Sequence, residues 1–378
     1  MFINDLDEFL TNDMNCGILL DDLILTSLLF ADDMVIFSNT RKGLQYGLDA
    51  LNEYCIYWGL TVNVQKTNCV AFKKGGKISK LDQWMYGEEI LKTSDKFKYL
   101  GFVFGSSGKF AKGIDNIQNQ SYKALFSLKS VQSEYPEVAV ETQLQLFNTM
   151  VLPIINYGSE VWGFYKAEKL DTLYLGYMKC LLGVRKSTPS SFVYKEMNIL
   201  PLNIIRHINI FKYWLKIVTL PSTCLVKKLY NSLLEGIESN PLCVNWASLV
   251  KNMLESYGLG FIWFDQNNVL INKKSTLSLF KQRVSDINIQ NLNEQIANVS
   301  KSRLYKTISE ATIMNNNYLY EIKEKYIRIS ITKLRLGSHN LMIERGRWTN
   351  KEIIDRECNL CGKLEDEYHA VIECPRYQ

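Results

Sequence analysis

No apolar stretch of this sequence reaches the roughly 18 residues that a membrane span requires. The longest candidate is broken by Asp21, Asp22, Asp32 and Asp33, so no membrane partner is expected. The N-terminus lacks the basic region and apolar core of a secretory signal. Nine cysteines without such a signal point to a reducing compartment and away from a disulfide scaffold. The expected location is intracellular, in cytoplasm or nucleus, and not secreted. Gly/Ser linkers, low-complexity tracts and short repeats are also missing. A strong charge of one sign is lacking too: a net +5 permits nucleic-acid binding without demanding it. What remains is an ordinary globular composition in 378 residues, enough for two or three domains. One further absence is local. Phe2, Ile3, Leu6, Phe9 and Leu10 fall at helical spacing with no capping residue ahead of them. The chain therefore reads as beginning inside an element of a longer ancestor, unless Met1 is a true start.

The most informative stretch present is Ser27-Leu28-Leu29-Phe30-Ala31-Asp32-Asp33-Met34-Val35-Ile36-Phe37. Its apolar arms are short and rich in strand formers, so they read as a hairpin on a buried sheet with Ala-Asp-Asp at the turn. Two adjacent carboxylates at a tip repel, and a divalent cation with oxygen ligands would relieve that. A solvated turn is the plainer alternative, because Asp is common in turns.

Phe30-Ala31-Asp32-Asp33 resembles the catalytic hairpin of reverse transcriptases in the form used by non-LTR (LINE-type) retrotransposons. Later segments resemble the same family in the same order. The resemblance implies magnesium bound by Asp32 and Asp33, with Asp32 the more direct ligand, and nucleotidyl transfer onto a primer. It also implies RNA template, DNA primer or target, and deoxynucleotides as partners. In that family the "F-I-N-D-L" segment, here from Phe2, lies downstream of the first catalytic aspartate. That partner carboxylate is missing, and Asp5 and Asp7 do not replace it.

Asn39-Thr40 can cap a helix carrying Leu44, Leu48, Leu51 and Cys55, and Gly59 can end it. Leu60 to Val64 alternates as a strand. Lys66, in the family's following motif, corresponds to a lysine near the leaving pyrophosphate; by itself it reads as a surface lysine. Lys73 to Lys77 is a basic turn, and Trp84 to Ile90 a hairpin. Phe97 to Gly105 is the strongest strand signal in the chain. Within it, Tyr99-Leu100-Gly101 resembles the primer grip, and a packed aromatic strand fits the same residues.

From about Ala111 the apolar period turns helical. Pro153 to Gly163 and Leu181 to Arg185 resemble the family's thumb, with Lys179, Arg185 and Lys186 as candidate backbone contacts. Residues 221–320 read as an irregular layer of short helices, and His207 as a packed histidine. From Lys323 to Lys351 the balance is basic. Lys325, Arg328 and Arg335 can share a helical face, and Arg345, Arg347 and Trp348 add cations and a stacking ring, a mixture suited to nucleic acid. A solvated helix face is the alternative. Cys358, Cys361, His369 and Cys374 form a C-x2-C-x7-H-x4-C pattern suited to tetrahedral zinc, with Gly362 allowing the sharp turn. This pattern also resembles the family's C-terminal zinc knuckle; three buried thiols in a helical tail are the alternative. His339 stands outside the ligand spacing and reads as structural.

The expected fold is α+β. It has a truncated polymerase palm over 1–108, a thumb-like helical domain over 109–220, a helical C-terminal region over 221–345 and a CCHC zinc knuckle over 346–378. The expected function is a fragment of an RNA-directed DNA polymerase. The alternatives are a catalytically inactive nucleic-acid-binding remnant, or an unrelated helical protein with a structural zinc tail.

Overall fold

The structure, a computed structural model, describes residues 5–11, 16–20, 23–73, 83–135, 137–240, 242–266, 272–310 and 316–376. Phe2 and Ile3 of the first helical pattern and residues 74–77 of the basic turn lie outside them. The chain divides into two compact units, one of Met1–Ile117 with Ile217–Leu249, the other of Gln118–Lys216 with Val250–Gln378.

The N-terminal part of the first unit is built from short hairpins around one long amphipathic helix. Strands β1 (Ile18–Leu20) and β2 (Leu23–Leu25) pair antiparallel, as do β3 (Ser27–Phe30) and β4 (Asp33–Ile36). Helix α1 (Leu6–Thr11) and helix α2 (Arg41–Trp58) bury Leu6, Leu10, Leu51, Tyr54 and Cys55 together, and Leu29, Met34 and Ile36 of the second hairpin pack on that cluster. Thr40 caps α2 by accepting from the Gly43 N–H at 3.0 Å, and Gly59 ends it, as the sequence suggests. Polar anchors fix the base of this assembly. Tyr54 donates to Asp5 at 2.6 Å, and Asp7 accepts from Thr26 and Ser27. Burial, and then the Asp5 carboxylate, push the Tyr54 hydroxyl up to about 12.

Two strand readings need correction here. Residues 60–64 form no strand, because the Asn63 side chain accepts from the Lys66 N–H at 3.1 Å and winds the chain into a turn. A two-residue strand, β5 (Asn68–Cys69), follows and pairs in parallel with β8 (Lys92–Thr93), beside the expected hairpin of β6 (Met85–Tyr86) and β7 (Glu89–Ile90). The run from Phe97 to Gly105 is a tight hairpin rather than one strand, with β9 (Lys96–Tyr99) and β10 (Phe102–Gly105) joined by Leu100 and Gly101 alone. Both turn residues have positive φ, 46° and 84°, as the favoured two-residue hairpin turn requires. Gly101 serves that turn. Phe97 stacks on Tyr99 and on Phe104 at 5.9 Å in each case, so the aromatic run packs on itself.

The second unit is helical. Helix α3 (Ala111–Glu134) enters it and leads to α4 (Val140–Met150), α5 (Leu152–Ile155), α6 (Ser159–Trp162), α7 (Glu168–Leu182), α8 (Ser190–Glu196) and α9 (Leu202–Val218). Pro153 sits in the first turn of α5, where a missing N–H costs nothing, so the apolar face of Phe147, Val151 and Ile155 continues across a break. Phe147 stacks on Tyr177 at 4.5 Å. Arg206 lies buried over the Trp162 ring at 5.2 Å, with the Asp171 carboxylate 3.2 Å away. His207 packs against Phe164 and Tyr257, and burial with Arg206 beside it lowers its pKa to about 4.

Helix α10 (Leu225–Ser239), in the first unit, runs 15 residues, longer than the short helices expected for 221–320, whereas α11 (Trp246–Ser256) and α12 (Gly260–Phe264) are shorter. The same interval also holds α13 (Lys273–Asn298), a 26-residue helix. It buries one narrow stripe, Phe280, Val284, Asn288, Leu292 and Ile296, and lies along α8. Helices α14 (Arg303–Glu310), α15 (Tyr318–Glu321), α16 (Lys325–Arg335) and α17 (Met342–Arg345) lead into the tail. No described helix is long and apolar enough to cross a membrane.

Candidate functional sites

The β3–β4 hairpin closes on the pair Phe30 and Asp33, leaving Ala31 and Asp32 as its two-residue turn. Ala31 is held at φ 54°, uncommon for a residue with a Cβ. The tip stands out from the unit: Phe30 is 60% exposed, and Asp32 and Asp33 are exposed. The hairpin therefore lies over the core by one face and is not a buried sheet. No hydrogen bond among the described residues occupies either carboxylate, so both offer their oxygens outward. Two free carboxylates one residue apart suit a hard dication that completes its shell with water or phosphate oxygens. Asp5 and Asp7 are committed to Tyr54, Thr26 and Ser27. Among the described residues no third acidic group joins Asp32 and Asp33 in a metal-holding cluster.

Tyr99 belongs to the neighbouring hairpin. Burial and then the Asp33 charge raise its hydroxyl pKa. Lys66 is exposed at the end of the Asn63 turn, and its ammonium has no hydrogen-bond partner among the described residues.

The basic segment is divided by the fold. Lys325 is exposed. Arg328 and Arg335 do share a helical face, but it is the inner one. Arg328 is 5% exposed and donates to the Ile322 and Lys323 carbonyls at 2.9 and 3.3 Å. Arg335 grips the buried Glu196 carboxylate through two nitrogens, at 2.6 and 3.2 Å, and its guanidinium lies over the Tyr318 ring. Burial opposes the Arg335 charge, and Glu196 overcomes that opposition. Tyr318 donates to the same carboxylate at 2.7 Å. These two arginines are used inside the fold, where sequence spacing alone had set them on a nucleic-acid face. Arg347 is partly engaged, with Glu344 at 3.2 Å and the Ser300 carbonyl. Arg345 and Trp348 are exposed. Of the candidate backbone contacts in residues 109–220, Lys179 donates to the Lys186 carbonyl at 2.7 Å, and Lys186 itself is exposed.

The tail gathers four ligand atoms. The sulfurs of Cys358, Cys361 and Cys374 and a ring nitrogen of His369 lie within 4.8 Å of one another, and this set can hold a metal ion. Cys358 and Cys374 sulfurs are 3.8 Å apart, and the Cys361 sulfur is 3.2 Å from His369 Nε2. A tetrahedral zinc with bonds of about 2.0–2.3 Å sets ligand atoms roughly 3.5–3.8 Å apart, so the donor set fits. The local chain explains the convergence. Cys358 N–H donates to the Lys363 carbonyl and Gly362 N–H to the Cys358 carbonyl, with Gly362 at φ 69°, which folds 358–363 into a knuckle. Backbone N–H groups of Leu360 and Cys361, with His369 between them in weight, hold the Cys358 thiol down to about 6. His369 and Cys374 flank a π-helical turn closed by Cys374 N–H to the His369 carbonyl at 2.8 Å. Nδ1 of His369 faces Glu373 at 3.5 Å, which leaves Nε2 for the metal.

Residues before the knuckle dock it. Arg356 donates to the Ile343 and Lys351 carbonyls, Glu365 accepts from the Met342 N–H, and His339 meets Glu367 at 3.0 Å. His339 is structural, as its spacing suggests. No sequence signal marks Glu196 or Arg356 as buried, because each is an ordinary charged residue on a helical or loop pattern.

Comparison with known proteins agrees with the resemblance read from the sequence. Residues 1–104 match the reverse transcriptase (RNA-dependent DNA polymerase) family. A putative uncharacterized transposon-derived protein of Caenorhabditis elegans is 25% identical over 166 residues, 42% of this chain and 57% of the relative. The RNA-directed DNA polymerase from mobile element jockey of Drosophila melanogaster is 19% identical over 159 residues, 40% of this chain and 17% of the relative. The Retrovirus-related Pol polyprotein from a type-2 retrotransposable element of the same fly is 33% identical over 100 residues, 25% of this chain and 10% of the relative. The chain is thus distantly homologous to non-LTR retrotransposon reverse transcriptases and spans only part of each relative's length.

Proposed function

We propose that this chain, whose first 104 residues match the reverse transcriptase family, is the catalytic-hairpin, thumb and zinc-knuckle part of a retrotransposon RNA-directed DNA polymerase. The observation that carries this reading is the Phe30–Asp33 tip, whose two exposed carboxylates have no hydrogen-bond partner among the described residues. Asp32 and Asp33 would hold magnesium through their exposed carboxylates. Magnesium there would supply Lewis-acid activation of a primer hydroxyl and charge relief at the phosphate. The Tyr99-Leu100-Gly101 turn positions the primer end, and Lys66 sets a cation near the leaving pyrophosphate. Cys358, Cys361, His369 and Cys374 hold zinc as a structural ion. RNA template and DNA primer or target are the partners.

A second reading has its own observation. The described residues offer two carboxylates at the hairpin and no third, whereas two-metal chemistry needs ligands for both ions. On this reading the chain by itself binds nucleic acid without polymerising. The test is extension of a DNA primer on an RNA template with magnesium. The chain alone is expected to give no incorporation. Incorporation that vanishes in Asp32→Ala would show that the pair suffices. In a longer protein carrying the upstream carboxylate, Asp32→Ala and Asp33→Ala are each expected to abolish extension. Full activity in both would remove the hairpin from the chemistry.

A further inference from the structure

Inside the helical unit, the end of α7 and the chain after α16 enclose a groove of about 420 Å³, lined by Arg185, Ser330, Lys333, Ser338, His339 and Asn340. Its volume falls within the roughly 300–1,000 Å³ range of small-ligand sites. The lining contains two cations and no carboxylate. Of the lining residues, His339 is already engaged by a carboxylate, Glu367 at 3.0 Å. The groove is built rather than incidental. Gly183 ends α7 at φ 67°, and a Cβ there would lie 2.7 Å from Ile329, so only glycine lets the helix end sit this close to α16. The Arg185 N–H donates to the Ser338 hydroxyl at 2.8 Å, and the Arg185 guanidinium donates to the Asn340 side chain. Lys333 is exposed, and its ammonium has no partner among the described residues.

The guanidinium of Arg185 also lies 6.0 Å from the centre of the Trp348 ring, which is 64% exposed. A largely exposed indole ring therefore stands beside Arg185 next to the groove, whose own lining offers the Arg185 and Lys333 cations. A phosphate suits the Arg185–Lys333 side, and a nucleobase suits the ring. A duplex keeps its bases stacked on each other and cannot offer one to Trp348.

We propose that this groove binds a nucleotide of single-stranded nucleic acid, with a phosphodiester against Arg185 and Lys333 and an unpaired base stacked on Trp348. The assignment rests on the nucleic-acid reading above and narrows it to the single-stranded form.

The test uses the full, zinc-loaded chain and fluorescence anisotropy with labelled single-stranded RNA, single-stranded DNA and duplex DNA over a range of salt. Lys333→Gln should weaken single-strand binding several-fold and reduce the salt slope by about one, as for one lost phosphate contact. Trp348→Ala should weaken it about 10-fold and leave the salt slope unchanged, because stacking carries no counterion. Duplex affinity should not respond to Trp348→Ala. RNA and DNA strands affected alike would mean that the groove reads phosphate and base without the 2′-hydroxyl. Both side chains are exposed, and unchanged zinc content and helix signal confirm that the variants are folded. Single-strand binding that neither variant alters overturns the groove while leaving the nucleic-acid reading intact. Equal loss on duplex in Trp348→Ala overturns the single-strand assignment. No binding of any nucleic acid by the unaltered chain overturns both.

Discussion

Glu196 shows how far a residue's chemistry depends on where its helix faces. Its carboxylate is fully buried, yet two Arg335 nitrogens and the Tyr318 hydroxyl satisfy it. Burial, and then this carboxylate, push the Tyr305 and Tyr318 hydroxyls upward, so both remain protonated donors. A buried pair of this kind adds little against an apolar substitute, but losing one partner strands the other charge. Glu196→Ala is expected to destabilise the helical unit by about 3–5 kcal/mol, read as a lower denaturant midpoint. Replacing Glu196 and Arg335 together by Met should cost clearly less than Glu196→Ala alone. A double variant worse than the single would mean that the ion pair itself supplies the stability. The comparison also separates the two readings of Arg335, since an exposed nucleic-acid contact would leave the midpoint unmoved.

At the scale of elements, the legible parts were those with a local chemical cause. The cap at Thr40, the stop at Gly59, the break at Pro153 and the aspartate hairpin each follow from one or two residues acting on their own backbone. What stayed hidden depends on partners far along the chain. Helix α13 exposes most of its surface and buries only every fourth residue, one of them Asn288, so its pattern carries almost no amphipathic signal. The inward turn of Arg328 and Arg335 is set by carbonyls and a carboxylate that periodicity cannot see. The knuckle is the opposite case, because ligand spacing is itself the cause. Its four ligands converge from one short segment, and Glu373 sets the free ring nitrogen. One zinc per chain is expected, with affinity falling as pH drops because thiolate ligation displaces protons. Glu373→Gln should weaken zinc about 10–100-fold, measured by competition with a chromophoric chelator. Cys361→Ser combined with His369→Ala should abolish binding, and full zinc retention in that double variant would defeat the assignment.

At the scale of the whole molecule, sequence order and compactness do not run together. Residues 109–220 read from the sequence as a thumb-like domain, but their helices are completed by residues about a hundred or more positions later. Tyr305 packs on Phe192 at 4.5 Å and donates to its carbonyl, and Lys195 donates to Asn293 and to the Ser309 carbonyl. Arg335 neutralises Glu196, and Ser338 receives the Arg185 N–H. All of these contacts lie within the second unit, which the chain leaves and re-enters around 217–249. A fragment of 109–220 would expose Phe192, Leu182 and the Glu196 carboxylate, each at most 2% exposed in the full chain. Removing apolar cover at about 25 cal/mol per Å² and unpairing a buried charge both exceed the narrow margin of a single domain. The fragment alone is therefore expected to show no cooperative thermal transition and to bind a hydrophobic dye. Co-expression with 250–378 should restore a sharp transition and a stable complex. A 109–220 fragment that melts cooperatively on its own would show that the thumb-like helices do not need the C-terminal region, and the shared core would then be a docking interface between two independent domains.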